Sequence, residues 1–192
     1  MADRSAALLV IDMLVDFFDR HSVLTSQRAR LVAGINELVD VFRALGHPII
    51  WVRQEFKPDL SDAFLEMKRA HLSVTIKGTQ GCEILSELHR SASDGVIVKK
   101  RYSAFFNTTL DELLARSMPA SLVVAGINTH ACVRTTVIDA YQRDLDVILA
   151  SQCIGSHDLE HHDVTLRYLD GKMARVLTNE EIIRVISATG AT

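Results

Sequence analysis

Three apolar runs in this chain each lead to a side chain that can do chemistry. Leu8-Leu9-Val10-Ile11 runs into Asp12, Val96-Ile97-Val98 into the cations Lys99-Lys100-Arg101, and a run ending at Gly126 is followed closely by Cys132. Such runs read as buried strands, and in open α/β folds ligands gather where strands end. A carboxylate carries protons, a cation holds an anion in place, and a thiol attacks a carbonyl carbon. Met13-Leu14-Val15 and Phe17-Phe18 follow Asp12, so its carboxylate is expected to be partly desolvated and a better base than a turn residue. Cys132 is expected at a strand-to-helix junction, where unpaired N–H groups and the helix dipole lower a thiol's pKa. The plainer alternatives are a solvated lysine and a small buried cysteine. Nothing within the cationic run selects among Lys99, Lys100 and Arg101.

The elements that would position these groups alternate strictly. Strands are expected at residues 7–11, 48–52, 95–98, 121–126, 145–150 and 174–177. Between them, Leu31, Val32, Ile35, Leu38, Val39, Phe42 and Leu45 recur at the 3–4 spacing of an amphipathic helix that Gly46 stops. Further helices are expected at 63–70, 81–89, from Thr108 or Thr109 onward, 131–143, 159–169 and from Thr178 to 186. Strands that are apolar on both faces and alternate with helices make a parallel sheet covered on both sides. The fold class is therefore α/β, a three-layer α/β/α Rossmann-like domain with a six-stranded, mainly parallel sheet, spanning residues 1–192 as one unit.

Composition excludes several function classes. With 192 residues, 48% hydrophobic and 23% charged, the chain can bury a full core. A net charge of -3 offers no basic excess for phosphates, so no nucleic-acid partner is expected. No apolar run approaches a membrane span and residues 1–5 show no leader pattern, so no membrane partner is expected. Cys82, Cys132 and Cys153 are widely spaced and odd in number, which suggests free thiols in the cytoplasm.

The segments Lys99-x-x-Tyr102-Ser103-Ala104-Phe105 and Gly126-x-x-Thr129-x-x-Cys132-Val133-Arg134-x-Thr136 also form a recognisable pattern. So do Gly78-Thr79-Gln80-Gly81, Thr108-Thr109-Leu110 and Asp139-Ala140. From residue 5 to 186 the chain resembles the isochorismatase-like cysteine hydrolases, relatives of nicotinamidases and N-carbamoyl amide hydrolases. The resemblance places the motif lysine four residues before Ser103, at Lys99. It implies Asp12 as proton carrier, Lys99 as electrostatic support and Cys132 as nucleophile forming a thioester. It also implies the Asn128 and Cys132 N–H groups as oxyanion hole, a cis bond at Ile127–Asn128, and a homo-oligomer acting on a small-molecule substrate without a cofactor. The stretch Val52-Arg53-Gln54-Glu55-Phe56 lacks the Asp and His residues with which nicotinamidases bind a metal, so no metal site is expected. His157-x-x-Glu160-His161 matches a zinc-protease pattern but has little chain downstream for a third ligand. Gln152 stands where many members carry Asp.

The expected activity is hydrolysis of a C–N bond in a small amide or ureide. The alternatives are a vinyl ether hydrolase using Asp12 as acid, or a non-catalytic binding member. Pocket candidates are Phe17, Trp51, Tyr102, Phe105, Phe106 and His130, any one of which is as easily core. Arg134 flanks the cysteine and is expected to be solvated.

Overall fold

The computed structural model describes residues 5–187. Residues 1–4, where the leader pattern was sought, lie outside that range. Six strands, β1 (Ala6–Ile11), β2 (Ile49–Gln54), β3 (Gly95–Lys99), β4 (Ser121–Gly126), β5 (Asp146–Ile154) and β6 (Arg175–Leu177), form one sheet in the order β3-β2-β1-β4-β5-β6. Every neighbouring pair is parallel. The chain winds outward from β1 through β2 to β3, returns to β4 beside β1, and winds the other way. The order reverses between β1 and β4, and in open α/β sheets ligands bind at the C-terminal ends of the strands at such a point.

Alternation within the buried strands sends side chains to two cores. Leu8, Val10, Trp51 and Val123 pack under helix α2 (Ser22–Ala44) with Leu31, Ile35, Leu38 and Phe42, and Ile182 and Ile186 of helix α7 (Asn179–Ser187) join them. Leu9, Ile11, Val52 and Val124 pack on the opposite face against Leu110 and Leu114 of α4 (Leu110–Ser117) and Val137 and Ala140 of α5 (Arg134–Tyr141). Leu169 of α6 (Leu159–Leu169) closes that layer. Short helices α1 (Val15–Arg20) and α3 (Leu65–Ala70) lie in the loops after β1 and β2. Phe56, Leu60, Ala63 and Met67 form a small separate core in the β2–β3 connection.

Three sequence expectations need correction, and one short helix went unread. Residues 81–89 are not helical. A single 3₁₀ turn at Gln80–Cys82 is followed by chain that bonds to the segment after β1, with Val15 N–H on Glu83 O (3.1 Å) and Leu85 N–H on Met13 O (2.9 Å). Those tertiary bonds outweigh a modest helical spacing. Helix α1 went unread because six residues are too few for a periodic signal. Strand β5 runs past Ala150 to Ile154, with a register shift opposite Val124 and Gly126. The helix expected at 131–143 opens instead as a π-type turn, Thr129–Val133, before α5.

Gly126 has φ +107°, and a Cβ there would stand 2.0 Å from the Ile11 carbonyl oxygen of the neighbouring strand. Gly126→Ala should therefore lower the unfolding free energy by about 3 kcal/mol or more in urea titrations. Cys153 is sealed between β5 and α2, its Sγ 3.1 Å from Asn179 Oδ1. Burial pushes its thiol from 9.0 up to about 12. A folded-state value above the unfolded one stabilises fully below about pH 9 and is lost as pH rises toward about 12. Cys153→Ala should flatten that alkaline decline, read as unfolding free energy against pH, even if it lowers stability at pH 7.

Candidate active site

Asp12 follows β1 with φ +53°, a left-handed conformation that Asp tolerates better than most residues. The turn aims its carboxylate along the sheet. Oδ1 accepts the Gln54 N–H from the end of β2 at 3.0 Å. Gln54 is the register partner of Lys99, the last residue of β3. From there Lys99 passes its side chain beneath β2 to Asp12, where Nζ lies 2.7 Å from Oδ2. Both side chains are fully buried. Nζ also donates to Arg101 O at 3.1 Å and to Cys132 Sγ at 3.3 Å. One ammonium thus links the ends of β1, β3 and the turn after β4.

Burial works against the Lys99 charge, but the Asp12 carboxylate and the Cys132 sulfur outweigh it and hold the lysine above its ordinary value. For Cys132 the balance is the reverse. Burial pushes the thiol up to about 12; Lys99 opposes this and Asp12 adds to it. The lowered thiol expected from a strand-to-helix junction is therefore not found. With 5% exposure, desolvation outweighs any dipole at a turn that is not yet α-helix. The resting arrangement is a neutral thiol beside a carboxylate–ammonium pair.

The turn carrying Cys132 is closely held. The Ile127–Asn128 bond is cis. Asn128 O accepts from Ala131 N–H at 3.0 Å and Val133 N–H at 3.2 Å, the residues either side of Cys132. The Asn128 N–H finds no backbone acceptor among the described residues. Thr136 Oγ1 donates to Cys132 O (2.7 Å) and accepts from Ala104 N–H (3.0 Å), tying the lysine loop to α5.

The pocket candidates separate. Tyr102 is half-exposed against Phe64, with centroids 4.8 Å apart. Burial, then the nearby Glu66 carboxylate, hold its phenol above the usual range. His130 is half-buried within the turn, with Nδ1 2.7 Å from Ser156 Oγ. Phe105 is buried in the core layer that holds Cys132, under the Arg143 guanidinium at 4.3 Å. Phe106 is exposed. Trp51 is a correction: it points into the opposite core, where its indole N–H donates to Asp94 at 2.9 Å, because odd positions of β2 face α2. Phe17 likewise packs toward the α2 layer. Arg134 lies over the Tyr168 ring. Gln152 is structural: its Oε1 accepts the Asn179 N–H at the start of α7 (2.8 Å). His157 and His161 gather around His130, with centroids 5.0 and 6.0 Å away. No trio of His, Cys, Asp or Glu among the described residues is arranged to hold a metal ion. Gln54 was missed as a contributor, and Thr136 and His157 were read only as members of sequence patterns. The contacts of Gln54 with Asp12, Thr136 with Ala104 and His157 with Asn128 join distant parts of the chain, and no local spacing signals them.

Residues 6–181 match the family model for the isochorismatase domain. The chain belongs to the isochorismatase family. A probable inactive nicotinamidase of Arabidopsis thaliana is 37% identical over 149 residues, covering 73% of this chain and 75% of that protein. Enterobactin synthase component B of Escherichia coli K12 is 27% identical over 181 residues, covering 93% of this chain but only 62% of that longer protein. The crystal structure of N-carbamoylsarcosine amidase from Thermoplasma acidophilum superposes with a TM-score of 0.77 at 27% identity, covering 92% of this chain and 97% of that one. The chain is an isochorismatase-like hydrolase by descent.

Lys99→Met would leave a buried carboxylate without its cation. It should cost about 3–5 kcal/mol of stability, and adding Asp12→Asn should recover much of the loss, as measured by chemical denaturation of the single and double variants.

Proposed function

We propose that this protein is a cysteine-dependent hydrolase cleaving the C–N bond of a small amide or ureide-like substrate. The observation that carries the reading is the single Lys99 ammonium within 2.7 Å of Asp12 and 3.3 Å of Cys132. A buried thiol with its proton on has use for a base at hand, and Asp12 is that base. In the proposed reaction Cys132 Sγ attacks the carbonyl carbon as its proton passes to Asp12. The main-chain N–H groups of Asn128 and Cys132 receive the developing oxyanion. The tetrahedral adduct collapses, the C–N bond breaks, and Asp12 returns the proton to the leaving nitrogen. Water then adds to the thioester with Asp12 as base, releasing the acid and restoring the thiol. Lys99 stays charged throughout and keeps the carboxylate in place. The resemblance to N-carbamoylsarcosine amidase at 27% identity supports a C–N bond as the target. The proposed partner is this small molecule.

The test is ammonia release from a panel of small amides, carbamoyl compounds and ureides, with chelator present. Wild-type protein should turn over at least one compound, and Cys132→Ala should reduce that rate by about 10³-fold or more. Activity on isochorismate that survives Cys132→Ala would instead assign vinyl ether cleavage with Asp12 as acid. No turnover by either form would favour a binding role, like the inactive state named for the Arabidopsis relative.

A further inference from the structure

The segment after β5 grips the turn that carries Cys132 at three successive residues. Asn128 Oδ1 lies 3.1 Å from both the main-chain N and the ring Nδ1 of His157. Thr129 donates its N–H and its hydroxyl to Gly155 O, both at 2.9 Å. His130 Nδ1 meets Ser156 Oγ at 2.7 Å. Of these contacts, the pair at Asn128 bears most directly on the sulfur, because Asn128 O takes the N–H groups of Ala131 and Val133 that bracket Cys132. The main-chain N–H of His157 identifies Oδ1 as an acceptor, so the ring Nδ1 must carry the proton and donate. The ring has little freedom to turn. His21 stacks on one side at 4.6 Å and 15°, and His130 meets it edge-on at 5.0 Å and 80°. Burial, with the neighbouring His130, holds His157 below the usual histidine value. Near neutral pH it therefore keeps one ring proton, and the Asn128 contact assigns that proton to Nδ1.

We infer that His157 is a positioning residue for the Cys132 reaction, acting through Asn128 to fix the turn that presents the thiol. The inference rests on the proposed role of Cys132 and adds a residue outside the segments that carry the family resemblance. His157 touches neither the sulfur nor a substrate, so its effect should fall on the chemical step and not on binding. One sulfur seated by two main-chain bonds, themselves set by one side-chain amide, gives a short path from the ring to the nucleophile.

Two variants separate this role from simple packing. His157→Phe keeps a flat ring between His21 and His130 but has no donor. His157→Asn loses the ring but can place an N–H near the former Nδ1. Hydrogen exchange at the Ala131 and Val133 amides needs no substrate. It should quicken about five- to tenfold in His157→Phe, the loss of about one hydrogen bond, and stay near wild type in His157→Asn. With a substrate from the panel, kcat should fall about 10- to 100-fold in His157→Phe with KM little changed, and His157→Asn should restore most of it. Unchanged exchange and unchanged kcat in His157→Phe would overturn the inference. Equal loss of activity in both variants, tracking a common loss of unfolding stability, would also overturn it by assigning His157 to packing alone. If the wild type shows no Cys132-dependent turnover, the proposed function fails by itself, and the exchange data still decide whether His157 holds the turn.

Discussion

A lysine ammonium with no solvent exposure is the constraint on which this structure turns. Removing such a charge from water costs several kcal/mol even after the surroundings relax, and the fold must offset that locally. It does so with one carboxylate, one main-chain carbonyl and one sulfur, drawn from the ends of β1 and β3 and the turn after β4. That set can converge only if β3 lies two strands from β1 with β2 between them, and if Asp12 adopts a left-handed turn toward β2. Gln54 completes the seat by donating its main-chain N–H to the carboxylate oxygen that Lys99 does not take.

The electrostatics of the three groups differ from a simple thiolate picture. Burial raises Cys132 more than Lys99 lowers it, so the sulfur rests neutral and the charge pair belongs to Lys99 and Asp12. A neutral resting thiol spares the dry site a third charge. In the proposed reaction a proton moves only when a carbonyl is in place to receive the sulfur. The turn holding that sulfur is not stabilised by α-helical bonding. It depends on Asn128 from within and on the segment 155–157 from outside, which makes the β5–α6 connection part of the nucleophile's support.

Much of the architecture was legible because burial on both faces leaves a clear trace. Continuous apolar runs such as Leu8-Leu9-Val10-Ile11 marked strands, and the 3–4 spacing through α2 marked a helix that buries one face. Where local preference was weak, tertiary bonds decided. Residues 81–89 lie as turns against the chain after β1, and β5 continues past the point where its apolar run ends. Trp51 shows how a single residue misleads: an aromatic near a strand end is a reasonable pocket wall, yet its parity along β2 sends it into the α2 core.

The sequence by itself determined the fold class, the alternation of strand and helix, and Asp12, the cationic run 99–101 and Cys132 as reactive groups near strand ends, with Lys99 singled out of that run only by the motif resemblance, since residue type and apolar spacing are local properties written in order along the chain. Only the tertiary structure decided that these three converge on one ammonium, that the thiol rests protonated, and that His157 reaches Asn128. Distances, desolvation and hydrogen bonds between residues 29 to 87 positions apart depend on how strands are ordered in the sheet, and no local pattern encodes that order.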